Sequence, residues 1–325
     1  MARGEISAIR GKKDLAKGKI FLPRGKIPPT KIFFRPPQSK PRVGKHLKLG
    51  ARMFRTCLNT STLRGFELPL AQIVDIAGKA GFEAVEPWIE ELEAHEKSGG
   101  SLEDLRSKIS DLGLSVQGAI GFAEWIVDDD ARRAAGLEQA RRDMELVARV
   151  GGNLIAAPPM GAVEQSGLDL NRVAERYGAL CEIGREIGVR PLVEVWGFSK
   201  TLSQLGEAVF VAIESGASNA GVLADVYHLY KGGSPLEGLK VLNARALPLF
   251  HVNDYPNIAP QSIEDADRVF PGDGVAPLGS VFKTLEALGF DGFLSLELFN
   301  PAYWTGDPLA VAREGHRKLK EALSQ

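Results

Sequence analysis

From residue 53 onward one pattern recurs along the chain. A short apolar run gives way to a polar loop, then to a stretch with apolar residues every three or four positions, then to a glycine and the next apolar run. The glycines that close the helical stretches are Gly81, Gly113, Gly151, Gly188, Gly216 and Gly289. A residue just past a helix end commonly takes a left-handed conformation that a Cβ penalises. Apolar runs without polar alternation mark strands buried on both faces. The spacing predicts strands over 54–59, 83–87, 114–119, 153–157, 190–195, 221–225, 248–252 and 293–298. It predicts helices over 68–80, 102–112, 130–150, 170–187, 202–215, 235–244, 278–288 and 308–323. Ser101-Leu102-Glu103-Asp104 has the form of a capping box at the second of these.

Eight strands alternating with eight helices imply an α/β fold with a parallel sheet, and the count favours a closed (β/α)8 TIM barrel. An open doubly wound sheet with a nucleotide site would want a glycine-rich first turn. Here that turn is Asn59-Thr60-Ser61-Thr62-Leu63-Arg64-Gly65, which lacks one.

Composition adds limits. With 44% hydrophobic and 25% charged residues among 325, the chain has the mix of a soluble globular protein. No run approaches the roughly 20 apolar residues of a membrane span. Cys57 and Cys181 are far apart and form no CxxC pair, which excludes a cysteine-built zinc site and suits a reducing, cytoplasmic compartment. The net charge of −1 conceals a split: residues 1–52 carry +13 and the remainder −14. The basic, proline-containing extension at 1–52 is expected to be disordered, and 53–325 to be the catalytic barrel. Met53 stands directly before the first strand. That favours an upstream extension outside the native protein over a nucleic-acid arm or a transit peptide.

Candidate chemistry follows from the barrel, whose active sites form at the C-terminal ends of the strands. Strands five to eight each place one ionisable residue inside an apolar run: Glu194, Asp225, His251 and Glu297. Burying any of them unpaired is costly, and a divalent cation is an economical way to neutralise all four. An oxygen-rich set with one imidazole suits Mn²⁺, then Mg²⁺ or Co²⁺, better than structural zinc, with Zn²⁺ as a further option. Such an ion polarises a carbonyl while a carboxylate removes the neighbouring proton. Aldose–ketose isomerisation, epimerisation beside a ketone and some dehydrations use that chemistry.

These residues carry a resemblance. From about residue 53 to 320 the chain resembles the xylose isomerase-like barrel family of sugar isomerases and epimerases, in particular its inosose (2-keto-myo-inositol) isomerases. The likeness is densest at His251-Val252-Asn253-Asp254, Asp267-Arg268-Val269-Phe270-Pro271-Gly272-Asp273-Gly274 and Glu297-Leu298-Phe299-Asn300-Pro301-Ala302-Tyr303-Trp304. It implies that Glu194, Asp225, His251 and Glu297 bind the metal and that Glu194 and Glu297 are the acid–base pair. It implies substrate contacts for His228 and a substrate or loop-fixing role for Arg268. Asn300 departs from the pattern, which has a basic residue there.

Other candidates have bland readings beside them. Glu86 and Trp196 are expected to touch substrate, though Glu86 could equally form a salt bridge in the barrel mouth. Lys200 reads as a solvated loop lysine. Trp88, Trp125, Trp196 and Trp304 follow strands, so some could wall a pocket. His46, His95 and His316 read as solvated. Gly272-Asp273-Gly274 is too short a glycine signal for a phosphate site. The expected function is metal-dependent isomerisation or epimerisation of a ketose or inosose, with an inosose or dehydroshikimate dehydratase as the alternative. A repair endonuclease on this barrel would need more histidines and a basic surface, so no nucleic-acid partner is expected. A homo-oligomer is compatible with the sequence.

Overall fold

The computed structural model describes residues 54–325, so the basic extension and Met53 lie outside the described residues. Eight parallel strands form one sheet: β1 (Arg55–Asn59), β2 (Ala84–Glu86), β3 (Ser115–Val116), β4 (Leu154–Ala157), β5 (Arg190–Glu194), β6 (Val222–Asp225), β7 (Leu249–Val252) and β8 (Phe293–Leu296). Their order is β3-β2-β1-β8-β7-β6-β5-β4. The two ends of that order meet. Ala119 N–H donates to Leu154 O at 3.2 Å, and Ala156 N–H donates to Ala119 O at 2.9 Å. The chain past β3 thus joins β4 and closes the barrel.

Nine helices surround the sheet among the described residues: α1 (Leu70–Ala80), α2 (Ile89–Lys97), α3 (Leu102–Asp111), α4 (Asp130–Val150), α5 (Leu170–Ile187), α6 (Leu205–Glu214), α7 (Val226–Lys231), α8 (Leu278–Ala287) and α9 (Pro308–Ala322). All six glycines expected at helix ends have positive φ, as the recurring pattern requires. At α3, Ser101 Oγ accepts the Asp104 N–H at 3.1 Å. The segment expected as a helix over 235–244 forms a 3-10 turn at Leu236–Val241 instead. Gly238 in its middle and Pro235 at its start leave too little propensity for a longer helix. Conversely, α2 stands where a polar loop was expected. Its charged sequence is made of good helix formers, and Glu91 reaches back to the Trp88 N–H at 2.8 Å to cap it. No helix among the described residues is long and apolar enough to cross a membrane.

Successive side chains of a strand point to opposite faces, and both faces are filled. Inside the barrel, Cys57, Ala84, Leu154, Leu192, Leu223, Leu249 and Phe293 form one small core. Outside, Leu58, Val85, Ile155, Val193, Phe250 and Leu294 join the larger core under the helices. Helix α5 is seated closely. Tyr177 Oη donates to Pro191 O at 2.7 Å, and a methyl group at Gly184 would stand 2.3 Å from Val189 O. Gly184→Ala must therefore push α5 off β5. It is expected to cost about 2 kcal/mol or more, read as a lower urea midpoint. An unchanged midpoint would show that α5 slides freely on the sheet.

Candidate active site

The two-residue period lifts each inward position from apolar to polar near the C-terminal end of its strand. Cys57 is followed by Asn59, Ala84 by Glu86, Leu192 by Glu194, Leu223 by Asp225, Leu249 by His251, and Phe293 by Ser295 and then Glu297. All seven polar groups are buried. Strand register sets Asn59 beside Glu86, Asp225 beside His251, and His251 beside Ser295. Of the four residues read as metal ligands, Asp225, His251 and Glu297 come together over the inner core.

Their contacts are ordered. His251 Nε2 lies 3.0 Å from Glu86 Oε2, which also accepts from Ser295 Oγ at 2.7 Å and Asn59 Nδ2 at 3.0 Å. The same Asn59 amide donates to Glu297 Oε1 at 3.0 Å. Asn253 Nδ2 donates to both Asp225 oxygens, at 3.1 and 2.9 Å. Arg268 Nη1 donates to Glu297 Oε2 at 2.8 Å and to Asp225 Oδ2 at 3.3 Å. Its Nη2 meets Asp265 and lies 3.2 Å from His228 Nε2.

Three buried atoms of this network lack a hydrogen-bond partner: His251 Nδ1, Glu194 Oε2 and Arg268 Nε. His251 Nδ1 lies 3.3 Å from Glu297 Oε2 and 3.8 Å from Asp225 Oδ2. One donor atom each from Asp225, His251 and Glu297 falls within 4.8 Å of the others. Glu194 stands outside that grouping. Imidazole and carboxylate donors so placed fit a divalent cation. Glu86 on the far nitrogen stands where an outer carboxylate would orient a metal-binding histidine.

Burial pushes the Glu194 carboxyl up to about 8, with the Glu297 charge adding to it. Burial pushes Asp225 up to about 6 against the pull of Arg268. Burial opposes ionisation of Glu297 too, but His251 and Arg268 outweigh it and hold Glu297 well below the usual carboxylate range. Burial likewise opposes a charge on His251, and Glu297 and Glu86 overcome it, so its pKa is raised. His228 is driven well below the usual histidine range by burial and by Arg268.

Above this floor opens a cavity of ≈ 210 Å³. Glu194, Glu297, His228 and Arg268 line it, as does Trp196. Aromatic rings form an arc around it: Trp88 lies 5.1 Å from Phe122 and 5.9 Å from Phe299, and Trp196 lies 6.1 Å from Phe122 and 5.1 Å from Phe198. Glu86, expected among the substrate contacts, does not line the cavity, because its Oε2 is taken up by His251, Ser295 and Asn59. Trp125 is buried, donating to Pro158 O, and Trp304 donates to Thr62 O. Lys200 pairs with Glu164 at 2.8 Å. His316, expected in solvent, is half-buried against Phe82 at 4.8 Å. Asn59, Asn253 and Ser295 were missed. A search for ionisable groups passes over them, although the same two-residue phase leads to each.

Comparison with known proteins follows this geometry. Residues 74–322 match the family described as xylose isomerase-like TIM barrel. Over 193 residues the chain is 29% identical to the inosose isomerase of Bacillus licheniformis, covering 58% of this chain and 69% of that enzyme. Over 258 residues it is 27% identical to the 3-dehydroshikimate dehydratase of Pseudomonas aeruginosa, covering 77% of this chain and 39% of that enzyme. The fold matches the crystal structure of the IOLI protein with a zinc atom at a TM-score of 0.77 and 20% identity, over 83% of this chain and 98% of that one.

Glu194 has a stability consequence in metal-free protein. Its pKa rises from 4.5 in the unfolded chain to about 8 in the fold, so the native state keeps a proton that the unfolded chain releases. The stability this group contributes is present below pH 4.5 and is lost as pH rises through 8. Glu194→Gln resembles the protonated form at every pH. With chelator present, the variant is expected to exceed the unaltered chain at pH 8 by on the order of a few kcal/mol, and to match it at pH 4.5. Urea midpoints at the two pH values read this. A variant no more stable at pH 8 would mean that Glu194 is ionised in the native state.

Proposed function

This chain belongs to the xylose isomerase-like TIM barrel family, and from that premise we propose that it is a divalent-metal-dependent isomerase or epimerase of a small ketose or polyol ketone. The observation that carries the reading is the pairing of Glu194 and Glu297. Both face one cavity, yet their surroundings push their proton affinities apart. Moving a proton off and back onto carbon beside a carbonyl needs one group that accepts and one that donates. Two carboxyls set to opposite protonation states in one site meet that need.

Asp225, His251 and Glu297, with Glu194, would hold the ion, which when bound supplies Lewis-acid polarisation of a substrate carbonyl. Three carboxylates and one imidazole suit Mn²⁺, Mg²⁺ or Co²⁺, and the zinc of the IOLI structure adds Zn²⁺ to the ions to be tried. His228 offers a neutral imidazole to substrate hydroxyls, and Arg268 holds Asp225 and Glu297 in place. The aromatic arc presents apolar faces to the C–H face of a sugar or cyclitol ring and keeps water off the reacting carbons.

Dehydration is the second reading, favoured by the likeness to 3-dehydroshikimate dehydratase. The same base would remove the proton, and loss of a hydroxyl would then leave a conjugated enone. Ultraviolet absorption separates the two, since an isomerase conserves mass and forms no enone.

Glu194→Gln and Glu297→Gln keep shape and remove the proton carrier. Each is expected to cut turnover on a competent ketose or inosose by at least about 10²-fold. The unaltered protein should exchange the α-proton of that substrate in deuterated water, and chelation should abolish the exchange. His228→Asn is expected to raise KM more than it lowers kcat. Full turnover in both glutamine variants, or unaltered activity in metal-free protein, would overturn the proposal.

A further inference from the structure

The charges around the cavity are one-sided. Glu194, Glu297 and Asp265 line it, and Asp225 and Glu86 are bonded into the same network. Arg268 is the one Lys or Arg among the described lining residues. Both of its terminal nitrogens are engaged, Nη1 on Glu297 and Asp225 and Nη2 on Asp265 and beside His228, while Nε is buried out of reach of the cavity without a partner, and the Tyr227 and Phe299 rings lie 4.2 and 4.9 Å from the group. Other nearby cations are held elsewhere. Lys231 donates to Ile263 O at 2.6 Å, Lys200 pairs with Glu164, and Arg64 pairs with Glu90 while stacked on the Trp88 ring. Even with Glu194 protonated, the carboxylates of Glu297, Asp225, Asp265 and Glu86 outnumber the Arg268 guanidinium and the His251 imidazole, so the site carries an excess of negative charge.

We infer that the cavity selects uncharged polyhydroxy ketones and rejects ligands bearing a carboxylate or phosphate, with Asp265 enforcing that choice at the rim. This rests on the isomerase reading and narrows its substrate class. An anionic ligand needs a free guanidinium or ammonium to replace its hydration, and the lining offers none. The walls do not compensate, because aromatic faces carry the negative side of a quadrupole. A neutral ring loses little on entry: its C–H surface meets Trp88, Phe122, Trp196 and Phe299, while its hydroxyls reach His228 and the glutamates. Asp265 is the group to change. Its side chain is 42% exposed at the mouth, away from the metal-ligand set, yet it ties Arg268 down.

The test compares two hydroxylated six-membered rings that differ in a carboxylate, myo-inositol and quinate. Their binding to full-length protein is measured by calorimetry with and without Mn²⁺. Trp88 and Trp196 fluorescence gives a second readout at the cavity itself. In both metal states myo-inositol is expected to bind at least about tenfold more tightly than quinate. Asp265→Asn removes a negative charge and frees one side of Arg268, so it should narrow that gap by on the order of tenfold. Equal or tighter binding of quinate, binding of neither ring, or an unchanged ratio in Asp265→Asn would overturn the inference. Binding is read here without turnover. A preference for quinate would therefore sink the charge selection and leave the isomerase reading standing, and failure of the glutamine variants would do the reverse.

Discussion

Everything at the C-terminal mouth of this barrel depends on how four buried carboxylates and one imidazole are kept from repelling or stranding one another. A lone ionised carboxylate in a dry interior is costly enough that it protonates, pairs or binds a cation. The first two responses are present. Glu194 keeps its proton, Glu297 pairs with Arg268 and His251, and Glu86 is held by three donors. His251 Nδ1, within ion-pair reach of Glu297 but without a hydrogen bond, marks where the balance is incomplete. A site so arranged is poised for a cation, and its two glutamates differ because their neighbours differ, not because their strands do.

Arg268 reaches the floor from a loop, so that loop has to be rigid. Asp254 and Val269 exchange backbone hydrogen bonds of 2.9 Å in both directions, and Asn300 Nδ2 donates to Arg268 O at 3.0 Å. Asp254 also accepts the backbone N–H groups of Tyr255, Gly272 and Ala276. Gly274 lies so close beneath Tyr255 O and Asp254 Oδ1 that a Cβ would stand 2.2 and 2.3 Å from them. The glycines of Pro271-Gly272-Asp273-Gly274 thus serve a tight turn built on Asp254, which buries the arginine. Asn300, where the family pattern has a basic residue, takes part in that support.

Much of this was legible in the chain. Strands and helix ends could be read because apolar runs and left-handed glycines are local signals. The four ionisable residues could be read because each interrupts an apolar run. Helix α2 was missed because its stability comes from charged helix formers and a back-reaching Glu91, not from apolar spacing. Asn59 and Asn253 were missed for another reason. Each is a neutral side chain whose value lies in having several partners at once, and those partners are far away in sequence. Asn59 joins Glu86, Glu297 and the Trp88 indole, across separations of 27, 238 and 29 residues. Glu86 was read as touching substrate or forming a salt bridge in the barrel mouth, and its place 3.0 Å from His251 Nε2 matches the second.

One wall of the cavity is fixed by hydrogen bonds that hold a strained residue in place. Leu202 is fully buried with φ at 57°, a left-handed conformation that costs an L-residue roughly 1–2 kcal/mol. Its carbonyl accepts the Trp196 N–H at 3.0 Å, so the segment between them doubles back on itself. Lys200 N–H donates to Val163 O, and Thr201 Oγ1 to Gln165 O, which anchors the loop to the one after β4. The outcome is that Trp196 and Phe198 stand over Glu194 at the end of the preceding strand. A relaxed loop of the same length would leave that flank open to water, where the raised proton affinity of Glu194 would fall back toward its ordinary value. The hydrogen bonds that hold Leu202 in this costly conformation are thus the same ones that keep Trp196 on the cavity wall beside Glu194.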